Sequence, residues 1–104
     1  PGDGIYVLKR LKQYHGFAES ATNQEIIAGI LKLSKTEGIF TEPAGGVSVA
    51  VMQKLLDEGK IDRDSNIVCY ITGNGLKSIE AITEILPKPS IIKPDVQIVS
   101  AMIR

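Results

Sequence analysis

Residues 66–72 read NIVCYIT, a near-continuous apolar run rich in β-branched side chains. A run of that kind is the signature of a strand covered on both faces, as in a parallel sheet, because a half-exposed strand would alternate apolar with polar residues. The stretch is therefore expected to form a central strand. It leads directly into the turn TGNG, residues 72–75, and then into Leu76, Lys77 and Ser78.

The pattern around this run is helical. Ile5, Leu8 and Leu11 stand at helical spacing with lysines between them, and Gly16 offers a stop. Thr22 and Glu25 have the spacing of a capping box, in which a hydroxyl bonds a first-turn amide while a carboxylate reaches back. From there Ile26, Ile30 and Leu33, with Ile27 and Leu31 beside them, predict a second helix ending at Gly38, which suits the left-handed position past a helix end. Ile39 and Phe40 predict a very short strand. Pro43 then starts a third helix, with Val47, Ala50, Val51 and Leu55 on one face and Gly59 as its terminus. Ser78 is expected to cap a fourth helix carrying Ile79, Ile82, Ile85 and Leu86 and closed by Pro87. The tail, residues 87–104, begins extended around its prolines, and its last ten residues fit either a strand or a short helix.

Helices interleaved with one strongly buried strand and weaker ones predict an α/β architecture, a single segment over residues 1–104, with too few strands for a complete doubly wound sheet. The 104 residues have 43% apolar and 23% charged content, which is ordinary globular usage and excludes a largely disordered chain. Twelve basic residues balance twelve acidic ones without a basic block, which argues against a nucleic-acid partner. No apolar run approaches the roughly 20 residues of a membrane span, and the start PGDGIYVLKR lacks the charged leader and apolar core of a signal peptide, so a soluble, cytoplasmic protein is expected. The chain also begins without Met, inside a glycine-rich turn, as though cut from something longer. Cys69 is the only cysteine and His15 the only histidine, so no internal disulfide or His/Cys zinc site is expected.

Two glycine-containing turns occupy positions where α/β proteins hold ligands: EPAGG, residues 42–46, opening a helix, and TGNG, residues 72–75, following the predicted strand. Neither is a Walker A loop or a complete GxGxxG fingerprint. Each residue here has a bland reading and a functional one. The GNG glycines can simply make a tight exit from a buried strand. The Thr72 hydroxyl can bond local backbone or point into a pocket. Glu42 can be an acid or base, or only an acidic group favoured at a helix start. Lys77 is a potential nucleophile only where it is desolvated, which nothing in the sequence indicates. His15 fits a helix end and Cys69 an inert core.

Together, EGIFTEPAGGVSVAVMQKLLDEGKID and VCYITGNGLKSIEA resemble the C-terminal part of the threonine synthase family, fold type II pyridoxal-phosphate enzymes, and PGDGIYVLKRLKQYHG is similar to the family segment that enters this region. The resemblance implies that the chain is the C-terminal part of the large domain, with helices packed on a few mostly parallel strands. It implies pyridoxal phosphate as cofactor, with the Thr72 hydroxyl facing the pyridine nitrogen. A neutral hydroxyl does not hold that nitrogen protonated as an aspartate would, which suits β,γ-elimination and replacement chemistry. Gly73, Asn74 and Gly75 would let the backbone pass close to the ring, and Glu42, Ala44 and Gly45 would line the facing wall. The implied reaction of a complete enzyme converts O-phosphohomoserine and water to threonine and phosphate. The Schiff-base lysine and the cofactor-phosphate loop of the family match no segment here, so no catalytic residue is assigned and Lys77 does not inherit that role. A threonine or serine dehydratase, a cysteate synthase and a non-catalytic binding module are the alternatives. A segment with an unpartnered central strand is further expected to self-associate.

Overall fold

The computed structural model describes residues 2–103, and its organising unit is a pair of long helices. Helix α1 spans Gly4–Gln13, α2 Asn23–Glu37, α3 Pro43–Asp57, α4 Glu80–Thr83 and α5 Val96–Met102, with a single 3-10 turn at Gly75–Ser78.

Helix α2 starts as the sequence predicts. The Thr22 hydroxyl accepts from the Glu25 amide at 3.3 Å, and the Thr22 amide donates to the Glu25 carboxylate at 2.6 Å. The bond from the Thr22 amide is the main reason the Glu25 carboxyl is held below its ordinary titration range. Gly38 closes the helix with φ +67°, a left-handed angle that costs glycine little. Glu42 and Pro43 open α3, where proline's fixed φ suits the first turn, and Gly59 stands at φ +67° just past its end. Lys54 on α3 reaches back to the start of α2, 3.2 Å from the Glu25 carboxylate and 2.8 Å from the Ser20 carbonyl.

The two helices touch backbone to backbone. A Cβ added to Gly29 would lie 2.5 Å from the Gly46 carbonyl oxygen, and one added to Gly46 would lie 2.6 Å from the Ile26 carbonyl oxygen. Both distances are shorter than van der Waals contact permits, so glycine at both positions is what allows the crossing. Ile30 packs beside Gly46, and among the described residues the buried apolar side chains are Ile30, Val49, Leu55 and Ile82. The expected faces of α2 and α3 are thus present, but Val49 is buried while Val47, Ala50 and Val51 are half-covered. The close glycine crossing rotates α3 about its own axis relative to what a face drawn from large apolar residues alone implies.

Several expectations are corrected. Residues 66–72 have no regular secondary structure, and among the described residues the only β pairing is the isolated antiparallel bridge between Thr41 and Asn74. A strand exists only where a neighbour receives its amides and carbonyls, and this segment has none; Val68 and Tyr70 each remain 78% exposed. Ser78 caps nothing, because it is the last residue of the 3-10 turn, which Asn74 caps through its side-chain oxygen to the Leu76 amide at 2.9 Å. Helix α4 has only four residues and stops short of Pro87. At the end of α1, His15 rather than Gly16 takes the left-handed angle, φ 52°, while the Gly16 amide bonds the Leu11 carbonyl at 2.9 Å. The tail resolves in favour of a helix, α5, capped by Asp95 and exposed along its length.

The radius of gyration, 18.6 Å, compares with about 13 Å for a compact domain of this size, so α1 and residues 87–103 extend beyond the α2–α3 core. No helix among the described residues is long and apolar enough to cross a membrane.

Replacing Gly46 with alanine improves helix propensity by about 1 kcal/mol but drives a methyl into the Ile26 carbonyl. Overpacking of this kind costs about 1–3 kcal/mol, and since α2 cannot yield without losing its core, Gly46→Ala is expected to lower the urea midpoint; an unchanged or raised midpoint would contradict the close crossing.

Candidate functional site

The N-terminus of α3 is where the two glycine turns meet. Helix α2 ends at Gly38 and the chain returns through Phe40 and Thr41, so that residues 40–42 lie antiparallel to residues 73–75. The Glu42 amide donates to the Gly73 carbonyl at 3.1 Å and the Gly75 amide to the Phe40 carbonyl at 3.0 Å. Thr41, 1% exposed, donates its hydroxyl to the same Gly73 carbonyl at 3.0 Å. The Gly73 oxygen thus receives two protein hydrogen bonds and anchors one turn to the other.

The glycines have specific steric reasons. A Cβ on Gly75 would lie 2.5 Å from ring atoms of Phe40. One on Gly45 would overlap the Thr41 side chain, and one on Gly73 would overlap the Glu42 carboxylate. Three consecutive side chains, Phe40, Thr41 and Glu42, therefore each occupy space left by a glycine. The same residues that close the clasp leave no room for larger groups behind it.

Of the sequence-predicted site residues, Gly73, Asn74 and Gly75 are brought against the turn that carries Glu42. Gly45 is buried beneath Thr41, and Ala44 is exposed on the first turn of α3. The Asn74 side chain is occupied by the Leu76 amide. Thr72 is exposed, and its hydroxyl makes no hydrogen bond among the described residues. It can accept from or donate to a group outside the chain. Lys77 lies 3.3 Å from the Glu42 carboxylate, with the lysine side chain 74% and the glutamate 17% exposed. An amine so exposed and charge-paired lacks the desolvation a nucleophilic lysine needs. His15 and Cys69 lie on other segments, and no cluster of His, Cys, Asp or Glu suited to a metal occurs among the described residues.

Thr41 is the site residue that sequence reasoning misses. It lies one residue before the quoted EPAGG turn, and its role depends on the Gly73 carbonyl 32 residues away. A polar β-branched residue between Phe40 and Glu42 was the available signal, but only the tertiary fold shows its partner.

The family model for the pyridoxal-phosphate dependent enzymes matches residues 1–73, and the chain belongs to that family. Within it, the chain is similar to the threonine synthase of Methanocaldococcus jannaschii, 42% identical over 89 residues, 86% of this chain and 22% of that protein. The threonine synthase of Methanosarcina acetivorans is 35% identical over 96 residues, covering 92% of this chain and 24% of the relative. That of Halalkalibacterium halodurans is 34% identical over 98 residues, 93% of this chain and 28% of the relative. The chain spans about a quarter of the length of the curated relatives it matches.

Thr41→Val keeps the shape of the buried side chain and removes one of the two donors to Gly73. A net loss of about 0.5–1.5 kcal/mol is expected, read as a lower urea midpoint, with faster amide exchange at Gly75; unchanged exchange there would separate Thr41 from the clasp.

Proposed function

We propose that this chain is part of a threonine synthase and supplies the pyridine-side wall of its pyridoxal-phosphate site. The observation that carries this reading is the clasp: the EPAGG and TGNG turns are bonded to each other through Gly73, and the Thr72 hydroxyl beside that carbonyl is exposed and has no partner among the described residues. The residues present suit that side of the cofactor. Thr72 would offer a neutral hydroxyl to the ring nitrogen, the Gly73, Asn74 and Gly75 backbone presents no bulk beyond one short amide side chain, and Glu42 with Ala44 would form the neighbouring surface, backed by the buried Gly45. Bound pyridoxal phosphate supplies an electron sink for carbanion chemistry at the substrate.

In this reading the chain's own contribution is to hold and orient. Thr72 would hold the ring nitrogen through a neutral hydroxyl, which would temper the electron withdrawal that the bound cofactor supplies. The Thr41 and Glu42 donors fix the Gly73 peptide and thereby limit where Thr72 can stand. The complete enzyme would convert O-phosphohomoserine and water to threonine and phosphate in the cytoplasm. Residues 66–72 would then lie as a parallel strand of the larger α/β domain, which explains why so apolar a segment is exposed when it stands alone.

Two outcomes test the proposal. Pyridoxal phosphate followed by absorbance is expected to bind the 104-residue chain saturably, with Thr72→Ala weakening it about two- to tenfold, the equivalent of one hydrogen bond. The same protein should release no phosphate from O-phosphohomoserine, since no Schiff-base lysine is assigned within it. Binding indifferent to Thr72 would favour a module whose turns are only structural, and phosphate release would overturn the assignment of a wall without a catalytic lysine.

The exposed 66–72 segment and the apolar face of α1 also support self-association of the isolated chain. Light scattering after size exclusion is expected to report a mass above 11.2 kDa that rises with concentration; a monomer across the whole range would rule this out.

A further inference from the structure

Glu42 enters the clasp through both its backbone and its carboxylate. Its amide donates to the Gly73 carbonyl at 3.1 Å, and its own carbonyl accepts from the Gly45 amide at 3.0 Å and the Gly46 amide at 3.2 Å. Its carboxylate lies so close over Gly73 that even a methyl group there would overlap it. Only 17% of the Glu42 side chain is exposed, so the carboxylate is held against the protein, not free in solvent. Lys77 lies 3.3 Å from it. The lysine sits in the 3-10 turn Gly75–Ser78, whose register is set by the Asn74 cap and by the Lys77 amide bond to the Asn74 carbonyl at 3.2 Å. The side chain thus returns over the turn from which it came and closes a loop through Glu42, Gly73, Asn74 and Lys77.

We infer that Lys77 is a positioning residue: its ammonium holds the Glu42 carboxylate over Gly73, which locks the two turns together and so determines where the adjoining Thr72 hydroxyl stands. The ion pair has one covered and one exposed end. An ordinary pair of surface charges would contribute almost nothing, but here the covered carboxylate is packed on backbone, so releasing it loosens the Gly73 peptide as well. The locking of the turns stands on the geometry alone; its consequence for Thr72 rests on the cofactor-wall reading above.

Amide hydrogen exchange at Glu42 and Gly75, the two donors that bridge the turns, reads the lock without any ligand. Lys77→Met is expected to speed exchange at both about two- to fivefold, with the Glu25 amide of the α2 cap unchanged. Lys77→Arg should restore protection, and Glu42→Gln combined with Lys77→Met should do no more than either alone. Should Lys77→Met fail to fold, the unmodified chain decides the matter. Raising the salt to about 1 M shortens the screening length to about 3 Å and should accelerate the same two amides. Exchange at Glu42 and Gly75 that is unmoved by both the substitution and salt, or that multiplies in the double variant, would overturn the inference. A second arm uses pyridoxal phosphate as the probe. Lys77→Met should weaken its binding, with Thr72→Ala adding less than its effect in the unmodified chain, whereas independent, multiplying losses would sever Lys77 from Thr72. If the probe does not bind at all, the cofactor-wall reading fails, and exchange alone decides whether Lys77 locks the turns.

Discussion

The contact of α2 with α3 through Gly29 and Gly46 is the constraint on which the rest of the structure depends. Because neither glycine carries a side chain, the helix backbones meet directly, with Ile30 buried beside Gly46 and Val49 and Leu55 buried further along α3. The crossing also fixes the short link between the helices. Phe40, Thr41 and Glu42 are thereby presented at the start of α3, with Thr41 turned inward and Glu42 at the helix cap. Without that crossing nothing would place the EPAGG turn in front of TGNG.

From this frame the candidate site follows by backbone chemistry more than by side-chain chemistry. The Gly73 carbonyl is the acceptor at the centre, bonded by the Glu42 amide and the Thr41 hydroxyl, and the Gly75 amide returns a bond to Phe40. Each glycine gives space to a named neighbour: Gly75 to the Phe40 ring, Gly45 to Thr41, Gly73 to the Glu42 carboxylate. Glycine turns of this kind have two uses, since the absence of Cβ admits a neighbouring side chain on one side and a planar ligand on the other. The structure accounts for the first use in full, and under the proposed function the second would admit the pyridoxal-phosphate ring.

Much of the local structure was legible in the residues. The capping box at Thr22 and Glu25, the left-handed Gly38, the stop at Gly59 and the proline start of α3 are short-range devices whose partners lie within a few positions, so they read directly. The EGIFTEPAGG and TGNGLK segments likewise carry the resemblance to the family whose model matches residues 1–73. What failed were the features that need distant partners. The run NIVCYIT has the composition of a central strand, yet no neighbouring strand among the described residues receives its backbone. Ser78 looked like a cap, but Asn74, four residues earlier, holds the turn in a 3-10 form once the clasp forms.

The sequence by itself determined the helix boundaries set by caps and glycines, the glycine turns, and the chemical inventory of a hydroxyl, a carboxylate and a lysine around them. Only the tertiary structure decided that the two turns are bonded to each other, that Thr41 bridges them, and that Lys77 is charge-paired with Glu42. The physical reason is range. Capping bonds and φ preferences act within one turn of chain, whereas the Gly73 carbonyl finds Thr41 and Glu42 only because two glycines 17 positions apart let two helices touch.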